Sequence, residues 1–344
     1  MRLEQLVTVI GCHAEGEVGR VVTGGVLPPP GETIFEQMQW LQRDDRLRKR
    51  LLYEPRGGAF VHANLVLPPV DPRADAAFVI MEPTDYPPMS GSNAMCVATV
   101  LLETGMLTMR EPETRLTLET PGGLVEVVAS CREGKVERVA VTNVPSFAVR
   151  LAAPVEVPGM GTLAVDVAYG GAFFGLVDAK ALGFSLTPDE ARDLVETGER
   201  IKGAVREQLP VQHPENPAIE GVTFTEFTHP LERVEGRCVG RNTVVISPGK
   251  LDRSPCGTGT SARLAVLHAR GEIAPGEMLV STSVIGSEFW SDILSVTEVA
   301  GTSAVVPRIA GRAWLTGIHQ YGLDPTDPYP EGYTLSDTWY RALD

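Results

Sequence analysis

Apolar positions along this chain fall mostly in short alternating or continuous runs, and helical spacing appears in only a few stretches. The opening "LEQLVTVIGCHAEGEVGRVVTGG" predicts two strands about a glycine- and charge-rich turn. "ETIFEQMQWLQRDDRLRKRLLYE" then sets Phe35, Met38 and Leu41 on one helical face, followed by Leu47 and Leu51 four apart. The polar run between Leu41 and Leu47 fits either one helix or two shorter ones. "GGAFVHANLVLPP" and "ADAAFVIME" read as strands, and "RLTLETPGGLVEVVASCREGKVERVAVTNVP" as antiparallel strands turning at "PGG" and "REGK".

A second set begins at "MGTLAVDVAYGGAFFGLVDA". In "SLTPDEARDLVETGERIKGAVREQ", Thr187 is the cap, Pro188 enters the first turn and Glu190 stands three residues after the cap, which marks a helix start. More strands follow at "GVTFTEFTH", "RCVGRNTVVIS", "GEMLVSTSVIG", "EFWSDILSVTEV" and "SAVVPRIAG", and "YGLDPTDPYPEGY" reads as an extended, proline-rich tail. Short strands dominate without regular strand–helix alternation, so the predicted class is α+β rather than a Rossmann sheet.

Two helices in this pattern share a layout. "MSGSNAMCVATVLLETGML" and "DRSPCGTGTSARLAVLHARGEI" align with Ser90 on Cys256, Gly91 on Gly257, Ser92 on Thr258 and Leu101 on Leu267. Gly105 then falls on Gly271, at the end of each helix. Equal helices stopped by glycine at one offset suggest a duplicated lobe with its own central helix.

A length of 344 residues accommodates one large domain or two medium ones, and 43% apolar content is that of an ordinary globular protein. The net charge of −14 argues against nonspecific binding to nucleic acid or anionic membrane, while leaving room for a small anionic ligand in a locally positive pocket. Five cysteines with no CxxC spacing give neither a disulfide framework nor a thiolate metal site. The six histidines show no ligand spacing, so they point to no metal site. Without an apolar run of membrane-spanning length or a signal-peptide pattern, the expected location is the cytoplasm.

A helix start leaves backbone N–H groups without intrahelical partners and carries partial positive charge. Small residues in "SGSN" and "CGTGT" let an anion approach those groups closely, so a carboxylate is the expected ligand. The same position favours a lowered thiol pKa at Cys256. Polar and glycine neighbours on both sides make Cys256 poor core material, whereas Cys96, inside "AMCVATVLL", reads as core, and Cys131 and Cys238 read as structural. "CGTGTS" lacks the lysine of a phosphate-binding loop. No histidine is fixed by sequence as a partner for a thiol-dependent hydrolase.

On these motifs the chain resembles the proline racemase family, which includes 4-hydroxyproline 2-epimerases and trans-3-hydroxy-L-proline dehydratases. The resemblance covers nearly the whole chain: besides "DRSPCGTGTSARLA", it rests on "EPRGG" at Glu54–Gly58, "DVAYGGAFF" at Asp166–Phe174, "SVIGSEF" at Ser283–Phe289 and "IAGRAWLTG" at Ile309–Gly317. It implies two pseudo-symmetric lobes of diaminopimelate epimerase-like fold, each with strands wrapped around a central helix, and a substrate held between the lobes without cofactor or metal. The expected division is 1–160 for the first lobe and 161–317 for the second, with 318–344 packing back onto the first. A monomer or homodimer is expected.

The resemblance also implies roles. In members that racemise, a residue on each side of the substrate's Cα takes or gives a proton, usually two cysteines, and Cys256 matches the second. The first motif, usually Met-Cys-Gly-His-Gly, reads here Met89-Ser90-Gly91-Ser92-Asn93. Backbone amides of Gly91, Ser92, Gly257 and Thr258 are expected to hold the carboxylate. Asp252 matches the acidic residue that binds the ring nitrogen; the plainer reading of it is a cap on the approach to the helix. His213 and His229 are candidates for lining the pocket, and Arg56 for holding a loop.

A serine hydroxyl is a weaker unaided base than a thiol. Inverting Cα needs competent groups on both faces, whereas eliminating a β-hydroxyl needs one base and a proton donor for the departing oxygen. The Ser90/Cys256 pair therefore favours dehydration of trans-3-hydroxy-L-proline to Δ1-pyrroline-2-carboxylate. The alternative is 2-epimerisation of trans-4-hydroxy-L-proline to cis-4-hydroxy-D-proline, or both activities. A noncatalytic amino-acid-binding protein is the rival from another class.

Overall fold

The computed structural model describes residues 3–340 and residue 343. It is α+β, with mixed sheets and buried helices, and falls into two compact units: Met1–Val141 with Gly311–Asp344, and Thr142–Ala310. The described residues include no helix long and apolar enough to cross a membrane.

In the first unit the strands are β1 (Glu4–Ala14), β2 (Glu17–Gly24), β3 (Val61–Leu67), β4 (Ala76–Met81), β5 (Glu113–Thr120), β6 (Gly123–Arg132) and β7 (Lys135–Thr142). The helices are α1 (Ile34–Arg43), α2 (Arg46–Leu52) and α3 (Gly91–Glu103). The C-terminal strand Ala313–Leu323 runs antiparallel to β1. From β1 onward, successive neighbours pair antiparallel, parallel, antiparallel, parallel, antiparallel and antiparallel, ending at β7.

The α1–α2 region is two helices, parted at Asp44 and Asp45. Thr33 Oγ1 accepts from the Glu36 N–H at 3.1 Å, which starts α1. Its buried stripe is Ile34, Met38 and Leu41, with Gln37. Phe35, expected on that face, is 40% exposed: with the helix beginning at Ile34, the i, i+4, i+7 positions turn inward and Phe35 turns to solvent.

In the second unit the strands are β8 (Phe147–Val157), β9 (Gly161–Tyr169), β10 (Phe173–Asp178), β11 (Phe224–Thr228), β12 (Glu232–Val234), β13 (Arg237–Ile246), β14 (Lys250–Leu251), β15 (Leu279–Thr282), β16 (Glu288–Val299) and β17 (Thr302–Gly311). The helices are α4 (Ala191–Gln208) and α5 (Gly257–Ala269). β8 runs antiparallel to β9, and from β9 the pairings β9–β10, β10–β11, β11–β13, β13–β15, β15–β16 and β16–β17 repeat the same antiparallel and parallel order as the first unit. β12 and β14 are short hairpin additions to β13. The Glu190 carboxylate accepts from the Thr187 N–H at 3.0 Å, so the predicted cap is present, one 3-10 turn ahead of α4.

Each repeat has a helix buried on nearly every side. Residues Gly91 to Leu102 of α3 and Gly257 to Leu267 of α5 are all buried. A helix apolar or small all round belongs in a core, and here α3 packs on β1, β2 and β3 while α5 packs on β8, β9 and β10. Both stop at a left-handed glycine, Gly105 (φ 73°) and Gly271 (φ 72°), a conformation that lacks a Cβ penalty only for glycine.

Candidate active site

In the first unit, Ser90 precedes α3 in an extended conformation, and its side chain does not cap its own helix. The Ser90 Oγ instead accepts from Asn93 Nδ2 at 3.0 Å and lies 3.3 Å from Ser92 Oγ. Ser90 is half-buried; Gly91, Ser92 and Asn93 are buried. Behind them, Asn64 Nδ2 donates to Asn93 Oδ1 at 2.8 Å, and Asn93 Nδ2 lies 3.3 Å from His62 Nδ1. His62 in turn stands between two buried carboxylates, with Nε2 at 3.4 Å from Glu17 Oε1 and Nδ1 at 3.5 Å from Glu82 Oε1. His62 and Asn64, two apart on β3, share one face of the sheet, and Asn93 sits in the first turn of the helix.

In the second unit, Cys256 precedes α5 with φ 61° and ψ 113°. A non-glycine residue at positive φ is uncommon and costs free energy that the surroundings must offset. This backbone folds the thiol over its own helix start, where Sγ accepts from the Gly259 N–H at 3.3 Å and lies 3.6 Å from Thr258 Oγ1. Asp252 Oδ1 accepts from both the N–H and the hydroxyl of Ser254, each at 2.8 Å, and Ser254 Oγ accepts from the Cys256 N–H at 3.1 Å. The Asp252 carboxylate thus shapes the turn that delivers the cysteine.

The helix start does not lower the thiol pKa as expected. Burial pushes the Cys256 thiol well above its ordinary range, and Asp252 adds to this. The Thr258 hydroxyl and the Gly259 N–H pull the other way, and Glu226 pushes it up again. Desolvation outweighs the two hydrogen bonds because the sulfur is buried, with Cys256 only 7% exposed. Glu226, fully buried, is pushed up to about 7 by its own desolvation, against the Arg263 guanidinium and a 2.9 Å bond from Asn242 Nδ2 to its Oε1. Asn242 Nδ2 also donates to Pro255 O at 2.7 Å, tying the carboxyl to the residue before Cys256.

The "DVAYGGAFF" motif acts by close approach. A Cβ on Gly170 would stand 2.2 Å from Thr258 O and 2.5 Å from Ala262 N, so only glycine lets β9 and its turn touch α5. Asn143 Nδ2 bonds both Gly170 O and Ser261 Oγ at 2.8 Å. In the first unit, the Arg56 side chain of "EPRGG" donates to Tyr329 O and Pro330 O and pairs with Asp327 at 3.2 Å, which ties down the proline-rich tail. His213 packs edge-on against Tyr169 and Phe147, and His229 Nε2 lies 3.1 Å from Phe184 O. All five cysteines are free and buried. Among the described residues no three His, Cys, Asp or Glu side chains are grouped to hold a metal ion.

Sequence reading missed Asn93, His62, Asn64, Glu17 and Glu82 in one unit, and Glu226, Asn242 and Arg263 in the other. Each is a polar side chain within or beside an apolar stretch. "FVHANLV" and "FTEFT" carried the signal as buried-strand patterns interrupted by ionisable groups.

Comparison with known proteins adds four findings. The family model described as proline racemase matches residues 9–334. A hydroxyproline epimerase from Agrobacterium vitis, solved with bound trans-4-OH-L-proline, is 45% identical over 98% of each chain, with a TM-score of 0.91. A probable proline racemase from Agrobacterium radiobacter K84, solved with bound carbonate, is 44% identical over 97% of this chain and 98% of that one, with a TM-score of 0.90. A phenazine biosynthesis protein of Bacillus anthracis shares the fold at 13% identity and a TM-score of 0.59, covering 92% of this chain and 99% of that one.

Proposed function

Because the chain belongs to the proline racemase family, we propose that it is a cofactor-independent 2-epimerase acting on 4-hydroxyproline. The observation that carries this is the 45% identity, over 98% of both chains, to a hydroxyproline epimerase that binds trans-4-OH-L-proline. The order of preference drawn from the sequence is thereby reversed: epimerisation leads, and dehydration of trans-3-hydroxy-L-proline becomes the second reading. The hydroxyl of Ser90, where family members usually carry a thiol, is what still favours dehydration.

In this reading Cys256 and Ser90 serve opposite faces of the substrate's Cα. In one direction the Cys256 thiolate takes the Cα proton, the C–H electron pair stays on the carbon as a carbanion delocalised into the carboxylate, and the Ser90 hydroxyl supplies a proton to the other face. In the return direction the roles exchange. Backbone N–H groups of Gly91, Ser92, Gly257 and Thr258 hold the carboxylate and stabilise the charge gained when the proton leaves. Asp252 pairs with the ring nitrogen. The support is chemical: two helix starts with small residues, one thiol and one hydroxyl, each already accepting donors at its heteroatom.

The test is incubation of the protein in D₂O with trans-4-hydroxy-L-proline and, separately, trans-3-hydroxy-L-proline, followed by chiral chromatography and mass spectrometry. The expected result is cis-4-hydroxy-D-proline carrying one deuterium at Cα. Pyrroline product from the 3-hydroxy compound, with no label in recovered 4-hydroxyproline, would restore dehydration as the main activity. Binding without label or product in either would leave only a noncatalytic amino-acid-binding protein.

A further inference from the structure

The polar chain behind Ser90 has a direction, and a backbone carbonyl sets it. Arg20 O accepts from Asn64 Nδ2 at 3.3 Å, so the Asn64 amide nitrogen faces inward and also donates to Asn93 Oδ1. With its oxygen so occupied, Asn93 turns its own Nδ2 toward Ser90 Oγ and His62 Nδ1. The His62 ring packs beside this amide, with Nδ1 near both Asn93 and Glu82 and Nε2 near Glu17. Space for this arrangement is reserved on β2: a Cβ on Gly19 would stand 2.9 Å from Asn93 Oδ1 and 3.3 Å from Asn64 Nδ2.

The second unit solves the same problem differently. Gly259 stands three residues after Cys256, as Asn93 stands three after Ser90, and Gly259 gives the sulfur its donor through the backbone. Ser90 receives no backbone donor from its own helix, and the side chain of Asn93 supplies one instead. The substitution has chemical sense. An alkoxide is far more basic than a thiolate and gains more from a donor held in place at the moment charge appears.

We infer that Asn93, oriented by Asn64 and His62, is a positioning residue that holds an N–H donor on Ser90 Oγ and thereby makes a serine serviceable for proton transfer at Cα. This rests on the epimerase reading above. When Ser90 gives its proton, the O–H bond breaks, a C–H bond forms with the carbanion's electron pair, and the negative charge left on Oγ is shared with the Asn93 N–H. In the reverse direction the charged oxygen takes the Cα proton and the electron pair remains on carbon.

Two experiments test this, one of them independent of turnover. Asn93→Gly copies the residue of the other helix, and Asn64→Asp removes the donor that fixes the Asn93 oxygen, so the amide loses its reason to face Ser90 with nitrogen. Both variants are expected to lower kcat for epimerisation by roughly 10- to 100-fold with KM within about twofold, the loss of one hydrogen bond to a charged group. The Ser90→Cys substitution in a Cys256→Ala background then makes the site a titratable probe. Adding Asn93→Gly is expected to raise the apparent pKa of the introduced thiol, read from the pH dependence of its alkylation by iodoacetamide and peptide mass spectrometry, by about one pH unit. An unchanged alkylation profile overturns the inference whether or not any hydroxyproline is turned over. Normal kcat in both folded variants overturns it as well. A protein that turns over no hydroxyproline, yet shows the raised thiol pKa, would sink the epimerase reading and leave the positioning of Ser90 standing.

Discussion

Replacing Glu226 by glutamine is expected to remove a fall in stability across neutral pH. The carboxyl is fully buried on β11 and burial holds its pKa at about 7, against 4.5 for an ordinary glutamate. Between those values the folded protein keeps a proton that the unfolded chain has released, so folding gains from Glu226 below about 4.5 and loses that gain as pH rises through about 7. At about 1.4 kcal/mol per pH unit, the gap is worth about 3 kcal/mol, most of it lost between about pH 5 and about pH 8. Glutamine preserves an acceptor for Asn242 but has no proton to lose. Urea unfolding of both proteins over this range should show the wild-type profile falling relative to Glu226→Gln. His13 and His213, whose pKa values burial lowers, bias stability the opposite way, but they do so in both proteins and cancel in the difference. Parallel profiles would refute the reasoning, because they would mean that Glu226 titrates alike in folded and unfolded chains. The same substitution removes a negative charge that raises the Cys256 thiol, so alkylation of Cys256 at about pH 8 should quicken.

Other substitutions probe the remaining links. Cys256→Ala should cut Cα deuterium incorporation by roughly 100- to 10,000-fold, the span of general acid–base catalysis, measured by mass spectrometry of recovered substrate; retention of wild-type exchange would remove Cys256 from the reaction. Gly170→Ala drives a methyl into the backbone of α5 at Thr258 and Ala262, and should lower unfolding stability by about 1–3 kcal/mol or more in urea titration. Gly19→Ala removes no polar group but sets a methyl against Asn93 Oδ1, Cys96 Sγ and Asn64 Nδ2, so turnover should fall with the hydroxyproline KM nearly unchanged, and steady-state kinetics would expose the opposite pattern if Asn93 only packs.

The repeat was legible because it is written in features that survive in one dimension. Ser90 and Cys256, each followed by glycine and then by a glycine at the same later offset, mark α3 and α5, and the structure ends both helices at Gly105 and Gly271 in the left-handed conformation. Most strands were visible because turn residues bracket them. Phe35 was misplaced for a one-dimensional reason too. Spacing defines a helical face only relative to a start, and the Thr33 cap selects Ile34, Met38 and Leu41 as the buried stripe.

The chemistry of the helix starts was half legible, and the missing half is set by burial and by long-range pairing. Sequence places a thiol at a positive helix end, which argues for a lower pKa. It does not reveal that the sulfur is desolvated and lies near Asp252 and Glu226, which together reverse the sign. Nor does it reveal that Asn64, on β3, meets Asn93, 29 positions later, across the sheet–helix boundary. These two omissions bear on the same quantity. Proton exchange across one carbon runs fastest when the acid on one face and the base on the other are closely matched, and the serine–cysteine pair of the proposed epimerase begins badly mismatched. Burial raises the thiol, and in the positioning role inferred for Asn93 the amide donor favours the charged serine oxygen, so the two move toward each other from opposite ends. The Ser90 variant of the family motif is therefore consistent with epimerisation once its surroundings are counted. Judged as an isolated hydroxyl, the same residue had pointed to dehydration.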